Sequence, residues 1–352
     1  MSYLTTRLRI LFVGDDLWWS NSGSYLRGFR KLGHDVAFVD QFSNSRSLLV
    51  RLGRKLDKRT FTRTINQDLW QTFIRFKPHL IFVWNGHYVS PTVLSRIRDT
   101  GGTLIFEYCT EDPLNPNAIS PFFLQGIPLY DCLFTIKAFN VKDFQSAGAQ
   151  QVEYVPAWFD PDIHYPVRVA QAEQALYGSD VVFVGTWFRD RARKLEELLE
   201  SRFPYSLAIW GNRWEHSGSR SPLRKHVKYR AVLGEEMSKV ISASKIALGF
   251  LNAENRDQHT GRTFEIPACG GFILAERTDD HLKLFEEGKE AEYFDNVVEL
   301  REKVDYYLRH NDERQRIAQA GHHRALESGY TVMESVRRVM QVFQEMANSR
   351  YS

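Results

Sequence analysis

The residues best suited to chemistry lie in the stretch HTGRTFEIPACGGFILAE (259–276). Thr260, Gly261, Arg262 and Thr263 stand where a polar loop, NAENRDQ (252–258), turns into a short helix, RTFEIPACG (262–270). Free backbone N–H groups, the positive end of the helix dipole and one guanidinium converge there, which suits an anion. Gly261 allows close backbone approach. Glu265 falls one turn inside, within reach of ribose hydroxyls lying beyond a phosphate. Phosphate plus ribose describes a nucleotide. The Gly270-Gly271 pair reads instead as a helix C-cap and a tight entry to the strand FILAE.

FVGTWFRDRARK (183–194) is the second informative stretch. A strand ends at Gly185, and Arg189, Arg191 and Lys194 crowd the start of the next helix. Cations are unfavourable at a helix N-terminus unless an anion lies there too, and a diphosphate near Thr186 resolves that conflict. The same residues could instead pair with Glu196 and Glu197 as a solvated face.

Three further loops carry groups for acid–base work or sugar stacking. VGDDLWWSNSGS (13–24) offers Asp15 and Asp16 beside the flat faces of Trp18 and Trp19; it lacks the GxGxxG dinucleotide fingerprint. WNGHYVS (84–90) and CTEDP (109–113) add His87, Glu111 and Asp112 as candidate general bases. Each also has an ordinary structural reading as a turn or solvated side chain.

The elements that must position these loops alternate. RLRILFVG (7–14), HDVAFVD (34–40), HLIFVW (79–84), TLIFEYC (103–109), DCLFTIK (131–137) and QVEYVP (151–156) read as strands, with helices such as 24–33, 91–101 and 140–148 between them. The stretch 160–180, with two prolines and no clear strand, reads as an interdomain linker. A second alternation follows: VVFVG (181–185), SLAIWG (206–211), HVKY (226–229), KIALGF (245–250), FILAE (272–276) and AEYF (291–294). Leu300, Val304, Tyr307 and Leu308 share one helical face, and Thr331 opens a last helix carrying Val332, Val336, Val339, Met340 and Phe343 on one side.

The expectation is an α/β protein with two tandem Rossmann-like, doubly wound domains, at 1–165 and 175–330, and a C-terminal helix, 331–352. Ligands then sit beyond the carboxyl ends of the strands, in a cleft between the facing domains.

Composition bounds the rest. The 352 residues carry a net charge of +3, too small to argue for nucleic acid. Three scattered cysteines form neither a disulfide framework nor a zinc site, and no apolar run approaches a signal peptide or a span. A cytoplasmic protein is expected. RSLLVRLGRKLDKRTFTR (46–63) sets seven Lys or Arg against the single Asp57; it suits an anionic membrane surface or acceptor, or is a solvated helix packed by its leucines.

The run SKIALGFLNAENRDQHTGRTFEIPACGGFILAE, followed by EEGKEAEYF and REKVDYYLRHNDERQRIAQAG, resembles the CgeB-like glycosyltransferases, named for a spore-maturation protein and related to the large group 1 (family 4) enzymes of the GT-B fold. The pieces R-[ST]-FE-x-x-A-x-G, GKE and YYL…ER-x-x-IA-x-AG stand in order, and FVG…R (183–191) and WGNRW (210–214) match as well. The resemblance is specific over about 181–340 and architectural before it.

It implies a donor site made of Gly185, Thr186, Arg191, Gly211, Asn252, Asp257, Thr260, Gly261, Arg262, Thr263 and Glu265, in the second domain. Glu265 matches the ribose-binding Glu of an E-x7-E motif; the first position is Asp257 here. Arg191 matches the residue that neutralises the diphosphate. The first domain is implied to bind the acceptor, through Trp18 and Trp19, and the last helix to cross back onto it.

The expected reaction moves a sugar from a UDP-, GDP- or dTDP-type donor to a hydroxyl of a glycan, protein or small molecule, with no metal and no cofactor besides the donor. An inverting enzyme needs a base such as Asp15, Asp16, His87 or Glu111; in a retaining one the leaving phosphate takes the proton. A non-hydrolysing sugar-nucleotide epimerase and an inactive nucleotide- or carbohydrate-binding protein are the alternatives.

Overall fold

A computed structural model describes residues 7–42, 58–115, 119–200 and 203–351. Two compact units result, one running up to Pro156 and resuming at Val332, the other Ala157–Thr331.

In the first unit, β1 (Arg9–Gly14), β2 (Asp35–Asp40), β3 (Leu80–Trp84), β4 (Leu104–Cys109), β5 (Cys132–Thr135) and β6 (Val152–Tyr154) form one parallel sheet in the order β2-β1-β3-β4-β5-β6. These are the expected strands, each trimmed by one to three residues. β3 and β4 are buried along their whole length, as apolar runs covered on both faces must be. Helices α1 (Asn21–Lys31), α2 (Lys58–Phe76), α3 (Pro91–Asp99), α4 (Pro121–Gly126) and α5 (Asn140–Ser146) connect them.

Three of these helices start on a serine. Ser20, Ser90 and Ser120 accept from the N–H groups of Gly23, Val93 and Phe123 at 2.9, 3.3 and 3.1 Å, and a proline follows the last two caps. α1 stops where expected: Gly33 adopts φ +84° just past its end. Of the basic stretch 46–63, residues 46–57 lie outside the described residues, and 58–63 open α2.

The second unit contains α6 (Gln171–Tyr177), β7 (Val181–Val184), α7 (Arg189–Glu200), β8 (Leu207–Trp210), α8 (Glu235–Ala243), β9 (Ile246–Gly249), α9 (Gly261–Ala268), β10 (Ile273–Glu276), α10 (Asp279–Leu284), β11 (Glu292–Phe294), α11 (Val297–Arg309) and α12 (Asn311–Glu327). Its sheet is parallel, in the order β11-β10-β9-β7-β8. Ala192, Leu195 and Leu198 of α7 and Leu300, Val304 and Tyr307 of α11 bury one helical face each against Phe183, Ile209 and Leu274.

The last helix, α13 (Val332–Tyr351), is part of the first unit. Its stripe Val332, Val336, Val339, Met340 and Phe343 is buried as the spacing requires. Phe343 meets Phe106 at 6.4 Å, Ser335 bonds the Tyr25 hydroxyl, and Arg338 pairs with Glu153 at 2.7 Å.

Two expectations fail. HVKY is not a strand: Val227 makes an isolated bridge to Ile209, and Tyr229 takes φ +52°. The stretch 160–180 is not a loose linker. It carries α6, the Val167 N–H donates to Ser242 Oγ at 3.0 Å, and Ser238 Oγ donates to the Ile163 carbonyl at 2.8 Å. Distant hydroxyls fix it to the second unit.

Candidate functional site

The loops after β7, β8 and β9 and the start of α9 come together at one edge of the second sheet. The Gly185 carbonyl accepts from the Trp214 indole at 2.9 Å, and the Trp187 N–H reaches the Asn212 carbonyl at 2.9 Å. Gly211, at φ +148°, passes so close that an added Cβ would stand 1.9 Å from the Gly185 oxygen. Arg191 bridges two of the loops, donating to the carbonyls of Thr186 at 3.2 Å and Leu251 at 3.1 Å. Burial pushes its guanidinium below the usual value, against the charges of Asp257, Glu276 and Asp190.

Arg262 is held on both sides. Its Nε donates to the Val184 carbonyl at 3.1 Å, and its Nη1 pairs with the Glu265 carboxylate. Burial and the neighbouring Arg191 push Arg262 down to about 10, so it stays a cation at neutral pH. Helical side chains lean toward the N-terminus, so the buried Glu265 carboxylate folds back over the first turn. A Cβ on Gly261 would meet Glu265 Oε1 at 2.9 Å. Glycine leaves room there for the acid as it stands. The amides of Thr186, Gly261 and Arg262 donate to no group among the described residues.

Three of the expected donor residues have partners within the protein. The Thr263 hydroxyl is buried, accepts from the Thr260 N–H at 3.1 Å and bonds His281 Nε2 at 2.9 Å. It braces the helix start. Asp257 accepts from the Asn252 N–H and from Asn255 Nδ2, both at 3.1 Å, while Asn252 Oδ1 accepts from the Glu254 N–H at 3.2 Å. These two residues shape the loop after β9. Lys194 pairs with Asp190 at 2.6 Å and Glu276 at 2.7 Å, not with Glu196 or Glu197.

Sequence reasoning missed His164. Its Nδ1 accepts from the Asp160 N–H at 3.1 Å, which leaves Nε2–H directed toward Glu265, 3.8 Å away. Burial, then the charge of Arg262, pushes its pKa down to about 3, so the ring is neutral. It was hidden in the proline-containing stretch read as a linker. His259 was likewise passed over: its Nε2 accepts from the Ala157 N–H at 3.2 Å and its Nδ1 meets Asp280 at 3.1 Å, which fixes the loop before α9. Gly270, at φ +72°, closes α9 as expected.

In the first unit the candidate bases separate. The Asp15 carboxylate accepts from the Leu17 N–H at 3.1 Å and from Ser20, and burial raises its pKa; it holds the turn before α1. Asp16 is exposed. His87 is half-buried, burial lowers its pKa, and its ring nitrogens carry no hydrogen bond among the described residues. Glu111 follows β4, whose loop is tied to that of β3 by Asn85 Nδ2 donating to Thr110 Oγ1 at 2.9 Å. Trp18 and Trp19 are exposed, but the Arg27 guanidinium lies 4.1 Å over one Trp18 face, which leaves the other for stacking.

A glycosyl transferase-like family model matches residues 187–341, the region holding Arg191, Arg262 and Glu265. The spore protein CgeB of Bacillus subtilis is 21% identical over 246 residues, 62% of this chain and 68% of that protein. Anabaena HepE in complex with UDP and glucose has a TM-score of 0.67 at 13% identity, with 96% of this chain and 100% of that chain covered. Sucrose-phosphate synthase from Thermosynechococcus elongatus reaches 0.70 at 11% identity, covering 97% and 100%. The fold is shared more widely: a UDP-N-acetylglucosamine 2-epimerase covers 99% of this chain and 98% of its own at a TM-score of 0.57 and 12% identity. The chain has the GT-B fold of these solved structures, and its residues 187–341 match a glycosyl transferase-like family model.

Proposed function

We propose that this protein transfers a sugar from a nucleoside-diphosphate sugar, with UDP as the first candidate, to an acceptor hydroxyl. The observation that carries the reading is the Arg262–Glu265 pair at the N-terminus of α9, over a glycine that leaves room for the acid. The free amides of Gly261 and Arg262 take the diphosphate, Arg191 and Arg262 neutralise it, and Glu265 accepts from the ribose hydroxyls. HepE and its UDP complex support UDP as the base to test first.

Transfer breaks the anomeric C–O bond, and its electron pair leaves on the β-phosphate oxygen. Guanidinium groups and helix amides aimed at that oxygen stabilise the charge as it develops. The acceptor oxygen forms the new bond at a carbon with oxocarbenium character. An inverting reaction needs a general base to take the acceptor proton, and among the candidates His87 has a ring with no hydrogen bond among the described residues. The reaction is proposed to be metal-independent, because two guanidiniums and a helix terminus serve the leaving group.

Calorimetric titration with UDP, GDP, dTDP and CMP identifies the base, and release of nucleotide from the cognate sugar nucleotide measures turnover. Glu265→Ala and Arg262→Ala are expected to abolish nucleotide binding with the fold intact. Retained affinity in both variants overturns the site. Turnover lost on adding EDTA overturns metal independence. An epimerase converts the donor sugar without any acceptor, and a binding protein shows affinity without turnover.

A further inference from the structure

Helix α2 has two faces. Ile65, Leu69 and Phe73 pack onto the first sheet, while Arg59, Arg63, Asn66, Gln67 and Trp70 recur at helical spacing on another stripe. That stripe lines a cavity of about 640 Å³, completed by Val93 and Arg96 of α3 and by Phe122 of α4. The volume suits a small organic molecule. Three arginines line the cavity, and no carboxylate does.

Two of those cations are prepared for an anion. Arg96 lies 3.6 Å over the Trp70 ring, which fixes the guanidinium plane and leaves its N–H edge open. Neither Arg63 nor Arg96 meets an acidic partner among the described residues. The wall is rigid: Asn66 Nδ2 donates to the carbonyls of Thr62 at 2.7 Å and Tyr88 at 2.8 Å, and its Oδ1 accepts from the Ser90 N–H at 2.8 Å. Phe122, 38% exposed, gives the mouth an apolar lip.

We propose that this cavity is a second binding site, separate from the donor site, for a small organic anion that joins an apolar or aromatic body to a phosphate. The phosphate lies between Arg63 and Arg96, and the body packs against Trp70, Val93 and Phe122. The guanidiniums of Arg63 and Arg96, with no acidic partner among the described residues, beside an apolar floor favour a ligand carrying both chemistries over one carrying either alone.

Naphthyl phosphate, titrated calorimetrically into the full-length protein, tests it, with inorganic phosphate and naphthol as its two halves. Naphthyl phosphate is expected to bind more tightly than either half. Arg63→Gln with Arg96→Gln is expected to weaken it by about tenfold or more, with UDP affinity and melting temperature unchanged. Trp70→Ala, which also loses packing against Phe73, is expected to weaken it as much, with UDP affinity unchanged. Absence of binding overturns the proposal, including the case in which another part of this chain fills the cavity. So does equal affinity in the double variant. Binding only to phosphatidylglycerol vesicles, insensitive to Trp70→Ala, overturns it in favour of a membrane surface. Loss of UDP binding in the Glu265→Ala protein leaves this test intact, because the two sites share no residue.

Discussion

At the scale of single residues, the donor reading depends on a carboxylate that lies over a glycine. In Gly261→Ala the new methyl would stand 2.9 Å from Glu265 Oε1, so the acid must swing away or the first turn must shift. Nucleotide affinity is expected to fall by about tenfold or more, the cost of misplacing one charge-assisted contact, with a melting temperature near that of the parent. Calorimetric titration with UDP measures it, and an unchanged affinity removes Glu265 from the ligand. His164 gives a second test through pH. Its folded pKa of about 3 lies below the ordinary 6.5, so the unfolded chain takes up a proton that the folded one refuses. The stability tied to its neutral form is complete above about pH 6.5 and is lost as pH falls toward about 3; the loss reaches about 2 kcal/mol near pH 5. Protonation is opposed by burial and Arg262, while Glu265 is already engaged by Arg262. In His164→Gln, chemical denaturation should show an acid limb flatter by that amount between about pH 7 and 5. A limb of unchanged slope means that the ring already carries its proton in the folded protein.

At the scale of elements, legibility followed burial. Parallel strands covered on both faces are continuous apolar runs, so β1, β3, β4 and β9 were readable from their residues, as was the stripe on α13. HVKY failed because its short apolar pattern contributes only Val227 to the sheet edge. The stretch 160–180 failed because its anchors, Ser238 and Ser242, are polar residues some 75 positions away, and no local pattern announces a hydroxyl aimed at a remote backbone. The same limit explains the site. The placement of Arg262, Gly261 and Glu265 together at the start of α9 was legible because a helix N-terminus, a close approach and a one-turn spacing are local. The roles of Asp257, Thr263 and His164 were not, because each depends on which neighbour its polar atoms meet. The stripe on α13 can be tested directly. Phe343→Ala removes a buried ring facing Phe106 and should cost the first unit about 3 kcal/mol. Urea unfolding measures that loss, and a change within the error of the parent means that the helix end is not packed there.

At the scale of the molecule, the chain leaves its first unit after Pro156, builds the second, and returns at Val332. Each unit has its own parallel sheet and its own apolar core. Arg191, Arg262 and the start of α9, proposed to hold the nucleotide, all belong to the second unit. Ligand bound only by the folded state adds RT ln(1 + [L]/Kd), about 2.7 kcal/mol at a hundredfold excess over Kd. That increment should therefore belong to one of two unfolding events. Scanning calorimetry of the full chain is expected to show two transitions. UDP should raise one, Phe343→Ala should lower the other, and Glu265→Ala should remove the response to UDP without moving either baseline midpoint by much. A single transition that moves as a whole under both perturbations would show that the units unfold together. The donor site's stability would then be set by the packing of α13 as much as by its own loops, and mutations far from Arg262 would have to be read as changes to both.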